Sequence, residues 1–119
     1  MADGEPVSRA AFAALLRDVG DDRAFLTELV DSYMLTTPRL VAGMREAVRR
    51  GEPDALARYA HELKSTSASL GADRLSALCQ EVEVRARRDM LDDDEERVAE
   101  IAAEAGRVQA ALRDLTEQP

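Results

Sequence analysis

Residues 56–71 read Leu56-Ala57-Arg58-Tyr59-Ala60-His61-Glu62-Leu63-Lys64-Ser65-Thr66-Ser67-Ala68-Ser69-Leu70-Gly71. Leu56, Tyr59, Leu63, Ser67 and Leu70 recur at three- and four-residue intervals, the period of a helix with one face in a core. Pro53 precedes the run as a favoured first-turn residue, and Gly71 stands where such a helix ends. At about 100° per residue, His61 lies roughly 140° from the direction of Leu56, Leu63, Ser67 and Leu70, on the solvent side.

The rest of the chain carries the same period. Phe12, Leu15, Leu16 and Val19 form a short stripe that Gly20 terminates. A second helix opens at Asp21-Asp22, good N-cap chemistry, and carries Phe25, Leu26, Leu29, Val30, Tyr33, Leu40, Val41, Met44 and Val48. Pro38 should kink or break it near Thr36-Thr37, and a kink is favoured because the stripe resumes in phase. If continuous, this helix is about 40 Å long. After Gly71 a fourth helix begins near Asp73 and buries Leu75, Leu78, Cys79, Val82 and Ala86. The acidic run from Asp92 to Glu96 suits the positive end of a fifth helix dipole, and Val98, Ile101, Ala105, Val108, Leu112 and Leu115 follow as its apolar face. No segment alternates as a strand does. The pattern predicts an all-α protein: an antiparallel four-helix bundle with a short N-terminal capping helix. Residues 1–7 read as a flexible N-terminal segment and residues 8–119 as a single bundle domain.

Composition narrows the function. The chain has 119 residues, enough for one domain that buries roughly two thirds of its unfolded surface. Its net charge of −8 argues against a nucleic-acid footprint and against anionic membrane surfaces. Cys79 is alone, which excludes an internal disulfide, and it reads as a buried core thiol. No signal peptide is visible at Met1–Pro6, and no stretch approaches the ~20 apolar residues of a membrane span. A cytoplasmic location is expected. One His and one Cys make no metal-ligand set, and no glycine-rich phosphate loop is present.

One patch carries chemistry. Around His61 on its own helix face stand Ala57, Lys64, Ser65 and Ala68, at offsets of −4, +3, +4 and +7. Small neighbours leave the ring accessible to a bulky reactant, and a neutral imidazole is a good nucleophile. Lys64, one turn on, puts an ammonium where it can neutralise a phosphoryl group. On spacing alone a lone histidine on a solvated face is more often decoration, and both readings stay open at this point. The Arg85-Ala86-Arg87-Arg88 cluster reads as a solvated helix end, with contact to an acidic partner as the other reading.

The run His61-Glu62-Leu63-Lys64-Ser65-Thr66-Ser67-Ala68-Ser69-Leu70-Gly71-Ala72 resembles the signature of histidine phosphotransfer (HPt) domains, His-x-Leu-Lys-Gly-x-Ser-x-x-x-Gly-Ala, which a Leu-x-x-Leu-Cys stretch follows. Here that stretch is Leu75-Ser76-Ala77-Leu78-Cys79. The similarity extends upstream through Asp18–Leu26 and Thr37-Pro38-Arg39-Leu40, and covers the chain from about Phe12 to Leu115. The resemblance implies that His61 is the phosphorylated residue and Lys64 its phosphate-stabilising neighbour. Ser65 departs from the family's usual Gly at a position whose smallness gives a docking partner access. Glu83 aligns with a position where some relatives carry a Gln near the imidazole, and Gln80, one turn earlier, is the alternative imidazole partner.

The function so implied is that of a phosphorelay intermediate. It accepts a phosphoryl group on His61 from the aspartate of a receiver domain and passes it to another receiver. Receivers of response regulators or of a hybrid sensor histidine kinase are the expected partners, and they supply the Mg²⁺. The chain itself is expected to need no cofactor, to have no ATP site and to be a monomer. The alternatives are the phosphorylated domain of a chemotaxis-type histidine kinase and a receiver-binding bundle that transfers nothing. A start at Met1 and an end at Pro119 favour the freestanding reading over the kinase one, and His61 with Lys64 argues against the non-transferring one.

Overall fold

A computed structural model describes residues 5–117. They form five helices: α1 (Arg9–Asp18), α2 (Arg23–Arg50), α3 (Pro53–Ser69), α4 (Asp73–Arg87) and α5 (Asp94–Glu117). The local chemistry sets the ends. Ser8 Oγ accepts from Ala11 N–H at 3.1 Å to start α1, and Asp22 Oδ1 accepts from Phe25 N–H at 3.0 Å to start α2. Gly51 closes α2 in the left-handed conformation, Pro53 opens α3, and Asp94, Glu95 and Glu96 fill the first turn of α5.

α3 packs on α2 and α4, and α5 packs on the same two, so the four long helices run around a square with α1 set apart. Met44, Leu56, Leu63, Leu75, Ile101 and Leu112 fill the centre. Two glycines permit close approaches. The Tyr59 ring lies on Gly43 of α2, where a methyl group would come within 3 Å of it. Gly71 has φ +82°, and its ideal Cβ would stand 2.9 Å from Ala11 Cβ. Its carbonyl accepts from Ser8 N–H at 3.0 Å, so α1 is fastened over the α3–α4 turn. Val7 is buried beside this junction, which anchors the end of the segment read as flexible; residues 1–4 lie outside the described residues.

α2 passes through Pro38 unbroken. Proline has no N–H, so the Met34 carbonyl one turn back receives no bond from it. Gln109 Nε2 of α5 donates to that carbonyl instead, at 3.4 Å. Nearby, the Tyr33 hydroxyl and Ser67 Oγ share a buried hydrogen bond of 2.8 Å, which accounts for a serine on the core stripe of α3.

Three details of the periodic stripes are corrected. Phe25 and Leu29, in the first two turns of α2, are exposed. Leu78 and Leu115 are half-buried at the margins of their helices. Ala57, expected on the open face with His61, is buried. A helix with neighbours on two sides buries a wider arc than one stripe.

Candidate functional site

His61 lies in the middle of α3, and its side chain is 56 % exposed. Beside it across the α3–α4 seam, Glu83 is almost wholly buried. His61 Nδ1 and Glu83 Oε2 are 3.0 Å apart. Lys64 Nζ donates to Glu83 Oε1 at 2.7 Å and to Gln80 Oε1 at 2.8 Å. The antiparallel register explains this pairing. One turn forward along α3, from His61 to Lys64, corresponds to one turn back along α4, from Glu83 to Gln80. Of the two side chains considered as partner of the imidazole, Glu83 makes the contact, and Gln80 holds Lys64.

The charge state of Glu83 follows from its surroundings. Burial alone would raise its pKa; hydrogen bonds from Lys64, Arg87 and His61, with the charge of Lys64, outweigh that and hold it down at about 2. An ionised carboxylate only accepts, so the proton of a neutral imidazole must sit on Nδ1. The lone pair is then on Nε2.

Arg87 is a member of this site that the sequence reading left on a solvated helix end. Its Nε and Nη2 donate to Glu83 Oε2 at 3.0 and 2.8 Å, the same oxygen that faces His61. The available signal was the Glu83–Arg87 spacing of four residues, which favours an ion pair on a helix. Arg85 turns the other way, to the Asp92 carbonyl at 2.6 Å and buried Asp94 at 3.4 Å, and ties α4 to the following turn. Ser65 and Ala68 are exposed on the His61 side of α3, so the small-residue surface beyond the histidine is present. Cys79 is fully buried, and burial pushes its thiol up to about 12, where it is inert as a nucleophile.

Comparison with known proteins gives the family and the fold. The family model described as the Hpt domain matches residues 28–116, and the chain belongs to that family. Its function is histidine phosphotransfer in a phosphorelay, and members of the family carry phosphoryl groups and interact with receiver domains. Histidine-containing phosphotransfer protein B (HptB) from Pseudomonas aeruginosa PAO1 is similar in structure, with a TM-score of 0.87, 23 % identity, and 96 % of each chain covered. The HPT domain from the Hpt sensor hybrid histidine kinase from Shewanella has a TM-score of 0.74 and 20 % identity, over 91 % of this chain and 93 % of that one. A search of curated proteins gives no match. Among the described residues, no helix is long and apolar enough to cross a membrane.

Proposed function

We propose that His61 is the phosphorylated residue of this domain, that the donor and acceptor are receiver aspartates, and that Nε2 is the reacting atom. The observation that carries this reading is the buried, ionised Glu83 bonded to the inner nitrogen of an exposed imidazole. In the forward step the Nε2 lone pair attacks the phosphorus of an aspartyl phosphate. The bond between phosphorus and the bridging aspartyl carboxyl oxygen breaks, and the receiver carboxylate leaves with the electron pair. The ring gains positive charge as the P–N bond forms, and the Nδ1–H bond to Glu83 stabilises it. Transfer to a second receiver reverses these steps.

Lys64 is positioned to neutralise the phosphoryl oxygens, and Ser65 to leave room for the receiver. The domain works as a monomer, contributes no ATP site and takes its Mg²⁺ from the receiver. The test is to incubate the wild-type chain and His61→Gln with a panel of phosphorylated receivers and score acid-labile label. The wild type takes label and His61→Gln, folded as judged by circular dichroism, takes none. Acid-labile phosphate on the variant would sink the assignment.

A further inference from the structure

The seam between α2 and α5 lies diagonally across the bundle from the α3–α4 seam, and no residue of the His61 site lines it. A hollow of about 300 Å³ opens there, walled by Pro38, Val41 and Ala42 of α2 and by Ala102, Ala105 and Gly106 of α5. Arg45 borders it, and a second hollow of about 270 Å³ continues beyond Arg45 between Val48 and Ala99. The two together follow α5 from Glu95 to Gln109, about 20 Å at 1.5 Å per residue. Leu35, 67 % exposed, stands one turn before Pro38 on the same side of α2 and lengthens the apolar rim.

Two observations say what this groove takes. Gly106 is in the middle of α5, where glycine costs helix stability relative to alanine. Its backbone is helical, and a Cβ built on it meets nothing within 4 Å, so neither conformation nor packing within the chain calls for glycine. The missing side chain instead keeps the floor of the hollow open to something from outside. The second observation is charge. From Pro38 to Arg50, α2 carries four arginines and one glutamate, in a chain of net charge −8. Glu46 pairs with Arg49 and Arg50. Arg39 and Arg45 have no ion pair among the described residues, and no carboxylate lines the larger hollow.

We infer that the α2–α5 groove is a docking site for an acidic amphipathic helix of another protein. Aliphatic side chains spaced i, i+3 or i+4, and i+7 fill the hollows, and a carboxylate on the flank of that helix pairs with Arg45. The length of the groove suits a helix of three to four turns. A second copy of this chain is the poorer occupant, because two chains of charge −8 repel one another. A helix seated here holds the domain to its partner from the face opposite His61, so the histidine stays open while the domain is tethered.

The experiment titrates the isotope-labelled full chain with two synthetic helical peptides of about 15 residues. Both carry leucines at the helical period; glutamates flank them in one and lysines in the other. The glutamate peptide is expected to shift the backbone amides of Ala42, Ala102 and Gly106 and to bind about tenfold more tightly than the lysine peptide, the effect of one charge-assisted contact. Gly106→Leu fills the floor and Arg45→Glu reverses the charge, and each should weaken the glutamate peptide about tenfold. Arg45→Glu should also bring the lysine peptide level with it or ahead of it. Both positions are exposed on helices and both replacements suit a helix, so the fold is kept, as circular dichroism checks. Shifts confined to the surroundings of His61 and Ser65 would overturn the inference. So would equal affinity of the wild type for the two peptides, or no binding of either. A dimer of the free chain that Gly106→Leu abolishes would give the groove to a second copy and overturn it as well.

Discussion

Glu83 Oε2 stands 3.0 Å from His61 Nδ1, so the acidic side chain of α4 and the imidazole of α3 form one unit across the seam. The buried end of the unit fixes the tautomer, and the exposed end is the one proposed to react. The two residues lie 22 positions apart in the chain.

Because Glu83 is held at about 2, well below the ordinary carboxylate range, it links stability to pH. Its folded value is the depressed one. The contribution is therefore complete above the unfolded value and is lost as pH falls through the folded one, between about pH 5 and about pH 2. Exposure of Arg87 screens part of the effect, which should amount to about 1–2 kcal/mol at neutral pH. Thermal melts of the wild type and Glu83→Gln across this window should show the steeper acid loss in the wild type. Parallel curves would mean that Glu83 is not the linked group.

Lys64→Ala should slow transfer and shorten the lifetime of the phosphohistidine. It should leave helicity intact, since a partly exposed ion pair contributes about 1 kcal/mol or less. Rate and melting temperature measured together decide the matter. A collapse in melting temperature with transfer preserved would reassign Lys64 as a structural residue.

At Ser65, stability and transfer should move in opposite directions. Ser65→Gly should transfer at an equal or higher rate while losing roughly 0.5 kcal/mol of helix propensity. Ser65→Arg should melt at the same temperature or higher, yet block a receiver from closing over His61. Equal transfer rates for Gly, Ser and Arg at this position would remove the docking surface from this face.

Gly71→Ala tests the attachment of α1. The positive φ and the short approach to Ala11 should together cost about 1–3 kcal/mol. Adding Ala11→Gly should recover the contact part and leave the backbone part, a difference readable in melts of the single and double variants. Full recovery would mean that the backbone conformation relaxes.

The helices and their order are legible in the chain because Leu56, Leu63 and Leu70, and their counterparts elsewhere, repeat at the helical period, and Gly51, Pro53 and Gly71 mark the ends. The exposure of His61 follows from the same arithmetic. What periodicity does not contain is the register of one helix against the next. Glu83 and Gln80 lie one turn apart on one helix, and only the sliding of α4 along α3 decides which meets the ring. Ala57 was lost to a related cause, since a helix wheel has one inward direction and α3 has two neighbours. Arg87 was hidden by its own neighbours: Arg85 and Arg88 flank it, and a cluster of three arginines reads as solvent-facing although its members go separate ways.

The proline within α2 makes the two longest helices interdependent. The gap that it leaves at the Met34 carbonyl is filled from α5, by Gln109. A free α2 would lack that donor at mid-length and would leave the Met34 carbonyl to water. The side chain of Gln109 reaches the carbonyl only when α5 lies in the right axial position. Pro38 therefore acts as a gauge of assembly: α2 becomes fully bonded at the moment that the last helix of the chain seats correctly. Amide exchange in the turns around Thr37 should accordingly follow the docking of α5, some seventy residues away in sequence.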